Sequence, residues 1–148
     1  MVINAELRAA VPDDLARIVA LLEQARLPAT DVTRDGARDF IVDHDAGEII
    51  GVAGLERHGE HGLLRSLAVA PDWRGRGLGA ALVEAVEAKA RGLGVRSLTL
   101  LTGTAAPFFA ARGYEEITRS QAPAAVQAST EFTELCPASS ICMHKTIH

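Results

Sequence analysis

The segment Leu67-Ala68-Val69-Ala70-Pro71-Asp72-Trp73-Arg74-Gly75-Arg76-Gly77-Leu78-Gly79-Ala80-Ala81-Leu82 restricts what this chain can fold into more than any other stretch. An apolar run enters, proline stops it, alternate glycines turn the chain, and an apolar-periodic run leaves. That order predicts strand, loop, helix. A glycine loop feeding a helix N-terminus aims several backbone N–H groups at one point, and the helix dipole favours an anion there. Glycine lets the main chain approach a phosphate with no Cβ in the way. Arg74 and Arg76 add charge-assisted donors. The segment therefore predicts a di- or polyphosphate ligand. A bare turn would need neither three alternate glycines nor two arginines.

Spacing narrows the choice of ligand. A Walker A loop requires Lys followed by Ser or Thr after the last glycine, where Ala80-Ala81 stands. A dinucleotide fingerprint requires Gly-x-Gly-x-x-Gly after a first strand, with an acid about 20 residues on. Here the glycines fall one short of that spacing and lie late in the chain. What remains is Arg-x-x-Gly-x-Gly, matched by Arg74, Gly77 and Gly79.

The surrounding elements read as one mixed α/β unit, and 148 residues fit a single domain over 1–148. A weak first strand (3–9) leads to a helix opened by Pro12-Asp13-Asp14 and running to about Ala25. A short helix is expected over 31–38. Phe40-Ile41-Val42 and Ile49 to Leu55 form a hairpin, followed by a strand from Leu63 to Val69. After the loop come a helix (80–91), a buried strand (95–102), a short helix (105–112), a strand (114–119), a helix (122–135) and a closing strand (141–147). Aromatics are 4% of the chain against 48% hydrophobic residues, so aliphatic side chains must fill the core. The net charge of −4 argues against nonspecific nucleic-acid binding, which needs a basic footprint. No apolar run reaches the ~18 residues of a membrane span, and no signal-peptide layout opens the chain, so a cytoplasmic protein is expected.

With Leu-Ala-Val-Ala-Pro before the loop and Phe108-Phe109-Ala110-Ala111-Arg112-Gly113-Tyr114 after it, the sequence resembles the GNAT family of N-acetyltransferases. The resemblance covers nearly the whole chain in element order. It implies a GNAT fold: a central mixed, mostly antiparallel sheet of six to seven strands, flanked by helices, with a splayed pair of parallel strands at the cofactor site. It implies acetyl-CoA as cosubstrate, with the thioester arm along Leu67, Ala68 and Val69. The diphosphate would lie on Arg74, Gly75, Arg76, Gly77, Leu78, Gly79 and Ala80, with Phe108 also at the cofactor. A main-chain donor near Val69 would polarise the thioester carbonyl. The implied reaction is direct attack by the primary amine of a small molecule in a ternary complex.

One feature departs from that pattern. Relatives often carry Asn at the end of the next strand and a tyrosine acid in the short helix, where this chain has Thr102 and Phe109. Phenylalanine has no proton to give. The thiolate can leave with the help of water, another residue can substitute, or the protein binds its carrier without turnover, as a weak coenzyme A-binding or sensing module. Loss of one general acid typically costs ~10²- to 10⁴-fold, which still permits enzymatic rates. Tyr114 is read as a core aromatic rather than a replacement acid.

Period-2 alternation places residues 63, 65, 67 and 69 on one face, so Arg65 stands among apolar neighbours, and the GNAT resemblance implies that this face looks toward the reaction centre. An arginine there suits a substrate carboxylate or a related oxyanion. The competing reading is an ion pair with Glu56 across the sheet. Arg65 and Val69 are the residues placed at the reaction centre, with Arg8 and Thr102 as further acceptor-binding candidates. Glu56, His58, Glu60 and His61 cluster in one hairpin and read first as a solvated turn, without a third ligand for a metal. The stretch from Glu131 to Met143, with Leu64-Arg65-Ser66-Leu67 and 104–109, resembles the acetyltransferases of bacterial arsenic-resistance operons. That likeness implies an arsenic- or phosphorus-containing glutamate analogue as acceptor. Cys136 and Cys142 read as small buried side chains, with arsenite binding as the alternative. A homodimer stays open, since no interface stripe stands out.

Overall fold

The computed structural model describes residues 7–29, 32, 39–130, 132–133 and 139–147. Its strands form one seven-stranded sheet in the order β1-β2-β3-β4-β5-β7-β6. They are β1 (Arg8–Ala9), β2 (Phe40–Asp45), β3 (Glu48–His58), β4 (His61–Val69), β5 (Ser97–Thr102), β6 (Glu115–Ile117) and β7 (Ile141–Thr146). The helices are α1 (Leu15–Gln24), α2 (Leu78–Gly92), α3 (Ala106–Ala110) and α4 (Ala124–Gln127). Antiparallel ladders join β1 to β2, β2 to β3, β5 to β7 and β6 to β7. The parallel pair is β4 with β5, and its ladder runs only from His61↔Ser97 to Leu63↔Thr99. The mixed α/β architecture is what the element order predicts, and the parallel pair is what the GNAT resemblance implies.

Contacts divide the chain into two compact units, 1–55 with 66–88, and 56–65 with 89–148. In the first, α1 covers a core of Ala10, Ile18, Leu21, Leu22, Phe40, Val42, Ile49, Val52 and Ala68. Ile18, Leu21 and Leu22 recur at helical spacing, so one stripe of α1 is buried. Gly51 on β3 admits the start of α2: a Cβ there would stand 3.0 Å from both Leu78 Cδ2 and Leu82 Cδ1. The β2–β3 register shifts between Asp43 and His44, opposite Gly51 and Ile49, which leaves Ile50 over as a bulge. Its carbonyl accepts the Ala70 N–H at 2.8 Å and ties down the chain just beyond β4.

In the second unit, β7 pairs six residues of β5, from Ser97↔Thr146 to Thr102↔Ile141. Leu63, Ala122, Val126, Phe132 and Cys142 form its apolar cluster. Burial raises the Cys142 thiol above its ordinary range, with Arg119 partly opposing, so it behaves as a small apolar filler.

Several expectations need correction. The hairpin strands are longer than the apolar runs suggest, and β3 and β4 are joined only by Gly59-Glu60. The continuous helix over 122–135 does not form: α4 ends at Gln127, and a wider turn holds Phe132 and Thr133. The break falls at Ala128-Ser129, where Ser129 Oγ accepts the Phe132 N–H at 3.4 Å as a helix cap does, and the Ser129 carbonyl takes both the Thr133 N–H and Thr133 Oγ1 at 3.0 Å. The shared face of 63, 65, 67 and 69 also fails. Alternation needs extended backbone at every step, and Ser66 has φ +59°. The expected helix at 31–38 and Cys136 lie outside the described residues.

Candidate functional site

The loop between β4 and α2 is built as a turn followed by two reversals. A 3₁₀ turn, Pro71–Trp73, follows β4, with the Trp73 N–H donating to the Ala70 carbonyl at 2.9 Å. Gly75 and Gly77 then take φ +76° and +86°. A Cβ at either would meet nothing within 4 Å, so their need for glycine is conformational rather than steric. Residues 74–77 are exposed, while Leu78 is buried and seats the helix. The Ala81 N–H bonds the Gly77 carbonyl at 3.1 Å, which starts the ladder of the 15-residue α2. By helix geometry the N–H groups of Leu78, Gly79 and Ala80 precede that ladder. An exposed glycine turn, helix-start amides and two guanidinium groups fit a diphosphate.

The two arginines of the loop have different partners. Arg74 Nε donates to the Val69 carbonyl at 3.1 Å. The Arg76 guanidinium lies 4.9 Å from the centroid of the Trp73 ring, a stacking that motif spacing did not reveal. Of the residues expected at the carrier, Leu67 to Ala80 belong to the first unit.

Arg8 also belongs to that unit, and it is engaged. Its guanidinium grips Asp14 with two bonds of 2.7 and 3.1 Å, and Asp14 also accepts the Val11 N–H at 2.8 Å. The bond from Arg8 holds the Asp14 carboxyl below the usual carboxylate range against the opposing effect of burial. Asp14 in turn raises Arg8. Sequence reading took Asp14 only as a helix-start acid; a carboxylate six residues from a strand-end arginine carries no recognisable spacing.

Arg65, Thr102 and Phe108 fall in the second unit. Arg65 is buried, and its Nη1 stands 3.4 Å from Glu56 Oε2, so the ion pair weighed from the sequence is present. Glu56 Oε1 lies 2.8 Å from His58 Nε2, which links three charged or titratable side chains. Thr102 Oγ1 accepts the Ala105 N–H at 3.0 Å and shapes the entry to α3, leaving its own proton to donate elsewhere. Phe108 carries the Arg112 guanidinium on its ring at 3.8 Å. Phe109 is buried edge-on against Tyr114, ring centroids 5.6 Å apart, and Tyr114 is buried as a core aromatic. Among the described residues, no group of three His, Cys, Asp or Glu could hold a metal ion, and no helix is long and apolar enough to cross a membrane.

Known proteins resemble this chain in sequence and in fold. An amino-acid acetyltransferase from Ralstonia nicotianae is 36% identical over 126 residues, covering 79% of this chain and 28% of that protein. One from Pseudomonas aeruginosa is 34% identical over 128 residues, covering 81% of this chain and 30% of its own length. The chain thus spans less than a third of these curated relatives. N-acetylglutamate synthase from Neisseria gonorrhoeae, complexed with coenzyme A and N-acetyl-glutamate, superposes with a TM-score of 0.86 at 22% identity, over 100% of this chain and 36% of that one. Rv2747 from Mycobacterium tuberculosis, in complex with CoA and NLQ, gives 0.83 at 24% identity, over 96% of this chain and 99% of that one. At such identities the likeness is one of fold. The curated relatives are named amino-acid acetyltransferases and lend no support to the arsenic-operon likeness. The profile described as Acetyltransferase (GNAT) domain matches residues 36–116, more than half of the chain, and the chain belongs to that family.

Proposed function

We propose that this chain, as one acetyltransferase domain over 1–148, transfers an acetyl group from acetyl-CoA to the primary amine of an amino acid. The observation that carries the reading is the exposed turn with Gly75 and Gly77 in left-handed conformations, delivering the chain into the first amides of α2. Acetyl-CoA supplies the activated acyl group. On this reading the loop from Arg74 to Ala80 lies along the diphosphate, and the main chain of Leu67, Ala68 and Val69 follows the thioester arm. A main-chain donor near Val69 draws charge onto the acyl oxygen as the amine attacks. The C–S bond breaks, the N–C bond forms, the thiolate takes up a proton, and the amine loses one.

The amino-acid class of acceptor is supported by the names of the curated relatives and by arginines suited to a carboxylate. Both are already paired, Arg8 with Asp14 and the buried Arg65 with Glu56, so either would share its guanidinium between that partner and the acceptor. An arsenic- or phosphorus-containing glutamate analogue would fall in the same acceptor class. Phe109 favours one second reading, a module that binds the carrier with little turnover, because its position offers no proton to the departing thiolate.

Calorimetry with acetyl-CoA, followed by thiol release over a panel of amino acids, simple amines and glutamate analogues, tests both. Binding with turnover on one or more amino acids is expected. Binding without turnover on any acceptor would leave the second reading, and absence of binding would remove both.

A further inference from the structure

We infer that Arg74 is a positioning residue for the end of β4, a strap across the Val69 peptide, and that Arg76 is the loop arginine whose charge serves the diphosphate. The inference rests on the proposed acetyl-CoA site and divides labour within it.

The turn Pro71–Trp73 doubles the chain back so that residue 74 lies beside the strand end it has just left. Three bonds fix this return. The Ala70 N–H reaches the Ile50 carbonyl at 2.8 Å, the Trp73 N–H reaches the Ala70 carbonyl at 2.9 Å, and Arg74 Nε reaches the Val69 carbonyl at 3.1 Å. The peptide joining Val69 to Ala70 is therefore held at both its carbonyl and its N–H. Gly75, at φ +76°, then turns the chain away. Arg76, two residues on, rests over the Trp73 ring at 4.9 Å instead of on the backbone.

Guanidinium chemistry makes the strap specific. Nε is a directed donor within a rigid plane, while the two terminal groups of Arg74 remain on an exposed side chain. Lysine would preserve the charge without the planar fork. The held peptide belongs to the stretch assigned to the thioester arm, so loss of the strap should disturb the arm whether or not a diphosphate is attached.

Two donors separate the roles: acetyl-CoA, and acetyl-pantetheine, which has the same thioester arm without diphosphate or nucleotide. Arg74→Ala and Arg74→Lys should each lower kcat/KM about tenfold, the scale of one hydrogen bond, and do so equally for both donors. Arg76→Ala should lower kcat/KM for acetyl-CoA and leave acetyl-pantetheine unchanged. Hydrogen exchange at the Ala70 amide of the ligand-free chain should quicken in both Arg74 variants and stay unchanged in Arg76→Ala. An Arg74→Ala defect confined to acetyl-CoA and restored by Arg74→Lys would overturn the strap and make Arg74 a phosphate contact. Unaltered Ala70 exchange in folded Arg74→Ala would overturn it too. Failure of the wild-type chain to bind acetyl-CoA would instead sink the function, and the exchange result would still judge the strap.

Discussion

The glycine loop and the arginine pairs elsewhere treat polar groups in opposite ways. Residues 74–77 are exposed, and the amides at the start of α2 precede their ladder. Arg8 with Asp14, and Arg65 with Glu56, are instead closed by partners inside the fold, with side-chain exposures of 6% for both Asp14 and Arg65. An unpaired buried charge is costly, so internal pairing there is demanded by stability whatever the function. Solvated amides on an exposed turn face no such demand. Openness at the loop is therefore the better pointer to a ligand, while an arginine inside the sheet first has to be explained as structure.

The sharpest way to break this contrast is to spoil the loop without touching the core. In Gly75→Ala with Gly77→Ala, each added Cβ has open space but adopts left-handed backbone, at ~1–2 kcal/mol per residue. The exposed loop should relax into another path instead of bearing that strain. Acetyl-CoA affinity is expected to fall about a hundredfold, since each 1.4 kcal/mol is about tenfold. The melting temperature should move by only a few degrees. Unchanged affinity by calorimetry would remove the loop from the site.

Much of this contrast was legible in advance, for physical reasons that differ by region. Glycines that need positive φ leave a mark no other residue can replace, so the turn at Gly75 and Gly77 and the helix after it stand out. Ser66 adopts a similar φ with an ordinary side chain, so the break in β4 was invisible, and the shared face of 65 and 67 was lost with it. The Arg65–Glu56 contact could be weighed because a hairpin brings those positions near each other. Arg8 with Asp14 depends on how the chain turns at Pro12, which periodicity does not encode. The short α4 escaped because the break at Ala128-Ser129, and the cap that Ser129 Oγ gives the next turn, depend on the direction a side chain takes, which periodicity does not carry.

The arginine pairs can be tested in order of expected cost. Glu56→Leu removes a partner from buried Arg65 and should destabilise the fold by roughly 1–3 kcal/mol, less than for a fully buried pair because Glu56 is 32% exposed. Urea midpoints would show it, and adding Arg65→Met should recover most of the loss. A change of a few tenths or less would mean that Glu56 adds little to the hold on Arg65. Asp14→Asn should cost about 1 kcal/mol at neutral pH, modest because Arg8 is 38% exposed. The folded Asp14 carboxyl sits below its unfolded range near ~3.9. Its contribution is thus complete above that range and lost as pH falls through the lower folded value, so the two proteins should converge in acid. A gap that persists at pH 2 would show that packing, not charge, makes the difference.

The smallest effect expected concerns His144 on β7, opposite Thr99 of β5 and Glu115 of β6. Burial, and then the nearby His61, push its imidazole below the ordinary histidine range, while Glu115 opposes them. The unfolded chain takes up a proton near pH ~6.5, and folded His144 takes up its proton only at lower pH. Stability should therefore drop as pH falls below that value, and the drop should level off only beneath the folded value. In His144→Gln this part of the slope disappears, so the variant should gain on the wild type by up to about 1 kcal/mol between pH 7.5 and 5.5, read from urea midpoints. A difference that stays constant across that interval would mean that His144 takes up its proton alike in folded and unfolded chains. Burial in the sheet would then not govern the charge of this imidazole as pairing governs that of Asp14.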